Sequence, residues 1–344
     1  AHLAFSKTEN LTSEGYFSYV KDFKGGHNLN ATAGYSYFEV NGENFGMDNY
    51  NFSVDGIKYW DIGQGSYLTD GKAGMSSGKS VTERLFSFFA RANYSYQDKY
   101  MLSASIRHEG SSKFAADNRW ANFWSATAGW RISNEEFMKD FDWLDDLKIR
   151  FGYGVTGNND FSATYMANML GSDTNWMMPN GTWAYSYGKS QNVNPNLGWE
   201  EKKEWNLGVD YSFFEGRLYG KFDYYRRKVD NLLFSVKVPQ PPYTQGSQMQ
   251  NIGSMESKGW EFEVGGDIIR TKDFTWSSSM NLSHNTGKIL TLEGDNSYHN
   301  GNGFVAPGTP GDAARMEAGS TIGSFYMWKF AGFDDEGSFL LYNK

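Results

Sequence analysis

The sequence predicts an all-β chain, arranged as a transmembrane antiparallel up-and-down β-barrel. Three observations lead to this fold class. Apolar and polar residues alternate along successive segments, as the two faces of a strand require. The 344 residues include 39 Gly, 22 Tyr, 26 Phe and 12 Trp but only 7 Pro, which is typical of many strands joined by turns and ringed by aromatic belts. Short and long connections also alternate along the chain, which would place all long loops on one rim of a barrel.

The stretch from residue 147 to residue 159 shows how the two faces of a predicted strand differ. Its polar face carries Lys148 and Arg150, with no obvious partner in the local sequence. A strand with one apolar and one cationic face suits lipid on one side and water on the other. The residues of the apolar face are Leu147, Ile149, Phe151, Tyr153 and Val155.

About ten strands follow from the same pattern. Residues 84–96 have the clearest alternation. Further along, Trp120, Trp124 and Trp130 fall on one face of a strand, as in the aromatic girdle of a membrane interface. The predicted strands cover residues 15–23, 29–37, 84–96, 100–107, 120–132, 147–156, 205–213, 218–224, 260–265 and 276–282.

The connections between these strands divide into a short and a long class. Short turns are predicted near residues 25, 98, 215 and 272. One short helix is expected on the same, periplasmic side near residues 134–145, because Ser133 and Glu136 have the capping-box spacing and apolar residues follow at helical intervals. The long loops, which share the opposite rim, cover residues 39–83, residues 157–203 and a segment containing residues 239–242.

Charge and composition exclude several classes of function. The 32 basic and 40 acidic residues give a net charge of -8 and are mixed along the chain, so nucleic acid is not expected as a partner. The chain has no cysteine for a disulfide or for thiolate chemistry. Its histidines lack ligand spacing, so no metal site is expected; they are His2, His27, His108, His284 and His299.

Two segments resemble a known family. The run from Leu147 to Asn159 and the run Asn-Pro-Asn-Leu-Gly-Trp-Glu at residues 194–200 are similar to the barrel of SusC-like (RagA-like) TonB-dependent outer-membrane transporters. The resemblance covers nearly the whole chain and departs from the family pattern at Ser257 and Trp260. Further similar segments lie at residues 251–255, 259–261, 283–285, 288–289, 323–326 and 332–333.

The resemblance implies an outer-membrane nutrient importer of a Gram-negative bacterium. Family members form a 22-stranded barrel around a plug, carry a SusD-like lipoprotein lid, and import oligosaccharides or peptides with energy from the TonB complex. Residues 1–344 are therefore expected to be part of a single β-barrel domain. No signal peptide, plug domain, energy-coupling box or terminal strand is recognised in this sequence, which is expected to be the middle of such a barrel.

Two groups of residues are candidates for function. Loop aromatics have the amphipathic surfaces that ligands use and that a protein lid would bury, although packing within the loops is an equally good interpretation. Polar-face charges are candidates for the lumen. The alternative to ligand contact is lumen salt bridges for the two arginines Arg91 and Arg107, and hydrogen bonds to a plug or to lumen water for Glu261 and Glu263. The loop candidates are Trp60, Trp176, Trp183, Tyr185 and Tyr187, and the lumen candidates are Arg91, Arg107, Lys148, Arg150, Glu261 and Glu263.

Neither catalysis nor a bound cofactor is expected. The glycines of residues 152–157 match the dinucleotide fingerprint in letters, but that motif must open a helix, whereas an Asn-rich loop follows here. Glu261 and Glu263 share one strand face, while glycosidase carboxylates flank a cleft. An importer is therefore the leading hypothesis. A soluble or surface-attached carbohydrate-binding β protein without transport is the alternative, and a passive porin is a third possibility.

Overall fold

A computed structural model of the chain describes residues 1–57, 60–167, 170–292, 298–301, 314–325 and 329–342. Within these ranges the regular elements are nineteen strands and five short 3-10 turns, which confirms the all-β prediction. Tyr326, in one of the segments that resemble the transporter family, lies outside the described residues.

The elements follow one another along the chain in this order. The strands are β1 (His2–Phe23), β2 (His27–Asp48), β3 (Gly74–Lys79), β4 (Glu83–Tyr96), β5 (Tyr100–Ser111), β6 (Trp120–Arg131), β7 (Leu144–Asn158), β8 (Leu170–Met177), β9 (Trp183–Lys189), β10 (Glu200–Phe213), β11 (Leu218–Asp230), β12 (Leu233–Lys237), β13 (Ser247–Asn251), β14 (Ser254–Arg270), β15 (Thr275–Thr291), β16 (Tyr298–Gly301), β17 (Ala314–Glu317), β18 (Phe330–Phe333) and β19 (Phe339–Leu341). The 3-10 turns are Ile62–Gln64, Ala116–Asn118, Ile132–Asn134, Glu136–Met138 and Ala163–Met166.

Ten of the strands form one continuous antiparallel sheet. Their order is β1-β2-β4-β5-β6-β7-β10-β11-β14-β15, and β3 adds to residues 43–48 of β2. Consecutive strands of this path are neighbours in space, as in an up-and-down barrel wall. Because each strand reverses direction, every second connection emerges at the same edge of the sheet. The short connections therefore lie at one rim and the long ones at the other, as expected.

The first hairpin is longer than the alternation predicted. β1 and β2 remain paired from Phe23 and His27 out to His2 and Asp48, whereas the sequence pattern indicated only residues 15–23 and 29–37. Alternation is visible only where one strand face meets an apolar environment. Beyond that zone both faces carry polar residues, and the ladder continues because it satisfies the backbone donors and acceptors.

The long loops contain small sheets of their own. Strands β8 and β9 form a separate two-stranded hairpin, and so do β12 and β13. A cluster of buried hydrophobic residues lies among these loops and the adjacent strand ends, rather than along the wall. Its members are Phe114, Phe123, Val155, Phe161, Leu197, Trp199 and Met249.

The segment expected to form a helix near residues 134–145 contains two 3-10 turns instead, Ile132–Asn134 and Glu136–Met138. The capping box does not form, because the Ser133 hydroxyl donates to Asp146 at 3.1 Å and the Glu136 carboxylate accepts from Lys139 at 2.8 Å. The β7 residue Asp146 thus takes the Ser133 hydroxyl, and a local pair with Lys139 takes the Glu136 carboxylate, so neither side chain caps a helix. The described part of the chain contains no helix with the length and hydropathy of a membrane span.

Candidate functional site

The six lumen candidates all lie on one face of the main sheet, which we call the polar face. Cross-strand partners share a face, and the register places Arg150, Gly208, Asp223 and Glu261 in one row. Neighbouring rows link Lys148 with Glu263 through Asp210 and Lys221. Arg107 is opposite Phe123 of β6, and Arg91 is linked through Ser105 to Ser125 of β6. Because Ser125 is opposite Gly154 of β7, both arginines lie on the same face as Arg150.

Arg150 is the centre of an ion-pair network on this face. Its guanidinium donates to both carboxylate oxygens of Asp210, at 2.8 and 2.7 Å, and its Nη2 also reaches the Asp223 carboxylate at 3.2 Å. Such a bidentate pair fixes the geometry of the guanidinium as well as its charge. The cation that seemed unpartnered in the sequence is therefore matched by two acids from β10 and β11.

Gly208 makes this network sterically feasible. A Cβ atom at this position would lie 2.5 Å from Asp223 Oδ1 and 2.6 Å from the Arg150 guanidinium. Both distances are shorter than van der Waals contact allows, so a side chain at this position would push aside the end of the Arg150 or the Asp223 side chain, whereas glycine leaves the path across β10 clear.

Three of the other polar-face candidates, Glu263, Arg107 and Arg91, also have side-chain partners. Lys221 holds Glu263 at 2.9 Å, Arg107 pairs with Glu109 at 3.0 Å, and the Nε of Arg91 donates to the Asn93 amide at 3.3 Å. Glu263 is therefore in a salt bridge, whereas Glu261 has no ion pair within the residues that the structure describes. The two carboxylates do not face each other across a cleft.

A cavity of about 510 Å³ lies against the polar face, next to Arg150. Its floor includes a row of neutral hydroxyl, amide and glycine residues that crosses six strands. Gly152, the first glycine of the fingerprint-like motif, belongs to this row and lies within β7, with no helix directly after it. The row is Asn30, Asn93, Ser103, Thr127, Gly152 and Asn206.

At the rim with the long loops, the segment from Asn194 to Glu200 is the central packing element. Leu197 is 0% exposed, and Trp199 packs against Phe114 and Phe123 with ring centroids 4.6 and 5.2 Å away. The Trp199 indole donates to the Arg119 carbonyl at 3.0 Å. This run, which the family resemblance singled out, holds three loops together, and Trp199 is a core residue rather than an exposed loop aromatic.

The aromatic loop candidates do not form a single patch. Trp183, Tyr185 and Tyr187 lie on one face of β9 and are 67%, 71% and 69% exposed. Trp176 pairs with Ala184 and so lies on the opposite face of this hairpin. Trp60 belongs to the first long loop and is also exposed. The three rings of β9 therefore form a continuous stripe, which we call the aromatic stripe, whereas the other two tryptophans stand apart from it.

At the opposite rim, Glu135 joins the short connection to the sheet. Its carboxylate accepts from Tyr100 at 2.6 Å, from Trp130 at 3.0 Å and from Lys99 at 3.1 Å. These hydrogen bonds, that of Tyr100 first, hold the pKa of Glu135 below its ordinary value of 4.5. Sequence analysis missed this residue because its partners come from the neighbouring hairpin.

Comparison with known proteins agrees with this architecture. The family model for the TonB dependent receptor-like β-barrel matches residues 3–340, so the chain belongs to that family. The TonB-dependent receptor SusC of Bacteroides thetaiotaomicron is 36% identical over 275 residues, which cover 78% of this chain and 27% of the receptor. TonB-dependent receptor P3 of Formosa agariphila is 34% identical over 98% of this chain and 33% of its own length.

A solved structure of the RagAB peptide transporter superposes on 99% of this chain and 36% of the matched chain, with a TM-score of 0.81 and 27% sequence identity. This similarity in sequence and in structure agrees with the resemblance to SusC-like and RagA-like transporters that the sequence indicated. The chain spans about a third of the length of the curated relatives it matches.

Proposed function

We propose that this chain forms part of the wall of a SusC-like nutrient importer in the outer membrane of a Gram-negative bacterium. The observation that carries the proposal is the contrast between the two faces of the sheet. The face opposite Arg150 exposes large apolar side chains such as Phe17, Phe88 and Leu102, while the polar face carries the ion-pair network. A water-soluble protein would not expose so extensive an apolar face, but lipid would cover it.

The importer would be energised by the TonB complex through a plug domain and would carry a SusD-like lipoprotein as an outer lid. Family membership and the names of the relatives, which are TonB-dependent receptors, support the TonB complex as a partner. The SusD-like lid is proposed from the resemblance to SusC-like transporters. The rim with the long loops offers the larger surface for a lid, and the aromatic stripe is a continuous exposed apolar feature of that rim. Oligosaccharides or peptides are the proposed cargo.

Uptake by the full-length transporter tests the proposed activity. Cells that depend on this transporter for a complex nutrient should lose growth on it when either the transporter or TonB is deleted. Growth without TonB would contradict energised import and would favour a passive pore. A full-length protein that is monodisperse without detergent would favour the soluble carbohydrate-binding alternative.

The contribution of the aromatic stripe is tested by replacing Trp183, Tyr185 and Tyr187 together with serine. The hairpin of β8 and β9 pairs only with itself, so the barrel should remain folded and resistant to heat on a gel. Uptake or capture of the lid should fall at least tenfold. Trp176→Ser is the matched control, because Trp176 is equally exposed on the other face of the hairpin. Unchanged uptake and lid capture in the triple variant would leave loop packing as the role of these rings.

A further inference from the structure

A cleft opens between the turn at residues 194–196 and the loop that contains β12 and β13. Its volume is about 390 Å³, which is within the range of small-ligand pockets, roughly 300–1,000 Å³. The lining consists of three asparagines, two glutamines, one tyrosine and one proline, none of which is charged. The cleft is separate from the aromatic stripe and from the polar face of the sheet.

The walls of this cleft are fixed by hydrogen bonds between the two loops. The Asn251 amide accepts from the Gly198 N–H at 2.7 Å and donates to the Gly198 carbonyl at 2.8 Å. Asn194 donates to the Met249 carbonyl at 3.0 Å, and Gln248 donates to the Val193 carbonyl at 3.2 Å. Since side chains of one loop bind the backbone of the other, the cleft is already formed before a ligand arrives.

Three polar groups at the cleft remain available. Within the described part of the chain, no hydrogen bond engages the Tyr243 hydroxyl, the Asn196 side-chain amide or the Oε1 atom of Gln250, while the Gln250 amino group is held by Gln248 at 2.9 Å. Together these groups offer both donors and acceptors. The rings of Tyr243 and Pro195 add apolar surface beside them.

We propose that this cleft binds a neutral oligosaccharide. Sugar hydroxyls both donate and accept hydrogen bonds, so uncharged amides and a phenol match them in either role, and an aromatic ring packs on the apolar face of a sugar. A short peptide with free ends, or an acidic oligosaccharide, would lose water from its charges without gaining an opposite charge here. The inference rests on the proposed import function, for which it names the cargo class.

Binding to the full-length transporter in detergent tests the proposal by calorimetry. The probes are neutral gluco-, xylo- and manno-oligosaccharides of six or seven units, hexagalacturonate, and a hexapeptide with free ends. At least one neutral oligosaccharide should bind, and hexagalacturonate and the peptide should not. Tyr243→Ala and Gln250→Leu should each weaken that binding about tenfold, equivalent to about 1.4 kcal/mol. Tyr243→Phe, which keeps the ring and removes the hydroxyl, should weaken binding less than Tyr243→Ala does.

Gln191→Leu is the matched control, because Gln191 lines a neighbouring cavity and not this cleft. All variants should keep the heat resistance of the parent barrel, which separates loss of a contact from loss of folding. Preferential binding of the peptide or of hexagalacturonate, binding to none of the neutral sugars, or equal effects of Gln191→Leu and Tyr243→Ala would overturn the proposal. If the protein binds a neutral sugar through Tyr243 but does not import it, the proposal for the cleft stands and the proposed import function is wrong.

Discussion

The assignment of the apolar face to lipid predicts a large cost for Ala126→Arg. Trp120 and Trp130 lie on the same face of β6 as Ala126. They are ten residues apart, which is about 33 Å at roughly 3.3 Å per residue. A strand tilt of about 40° projects this span to about 25 Å, the height of the apolar band of a membrane barrel. Ala126 lies between the two tryptophans, close to the centre of the band, where an arginine costs about 2–4 kcal/mol.

The measurement is urea unfolding of the full-length transporter in phospholipid vesicles, followed by tryptophan fluorescence. Ala126→Arg should lower the free energy of unfolding by about 2–4 kcal/mol. Thr127→Arg is the control, because the adjacent residue points to the polar face and should cost far less. Ala126→Leu should be close to neutral. Equal destabilisation by the two arginine variants would refute the assignment of the faces.

Three further predictions concern the contacts that position the wall and its loops. Gly208→Ala should displace the end of the Arg150 or the Asp223 side chain, weaken the contact between them and cost about 0.5–1.5 kcal/mol in urea unfolding. This cost should shrink when Arg150 is already replaced by Met, and an equal cost in both backgrounds would contradict the steric argument. Leu197→Ala should lower the free energy of unfolding by about 2–5 kcal/mol and accelerate amide hydrogen exchange in residues 112–119 and 190–199. Unchanged exchange in these two segments would mean that Leu197 does not hold the loops together. Because the folded-state pKa of Glu135 is lowered, its stabilisation is present above the ordinary carboxyl pKa and is lost as pH falls through the folded value. Glu135→Gln should therefore lose less stability on acidification below about pH 4.5 than the parent protein does, measured as melting temperature against pH. If the melting temperature of the variant falls with acid as steeply as that of the parent, Glu135 does not stabilise the fold in this way.

Strand positions and facing followed from local sequence. Alternation correctly placed Arg150, Lys148 and Glu263 together on one face, because side-chain direction along a strand depends only on residue parity. The rims also followed, since an antiparallel meander sends every second connection to the same edge. Tertiary context mattered where a side chain had a choice of partners: the spacing of Ser133 and Glu136 predicted a helix turn, but Ser133 binds Asp146 of β7. Its neighbour Glu135 binds Tyr100 and Trp130 of the adjacent strands.

The sequence by itself determined the class of fold, the two faces of the wall and the family, because these depend on periodicity and on short characteristic runs. Only the tertiary structure decided which loop residues act together. It buried Trp199 in the packing between the loops, left Trp183, Tyr185 and Tyr187 as one exposed stripe, placed Trp176 on the opposite face, and brought Tyr243 beside Asn196. Loops have no fixed period that relates sequence position to side-chain direction, and their contacts join residues distant in sequence. Their surfaces are therefore set by packing and hydrogen bonding between loops that no local pattern records.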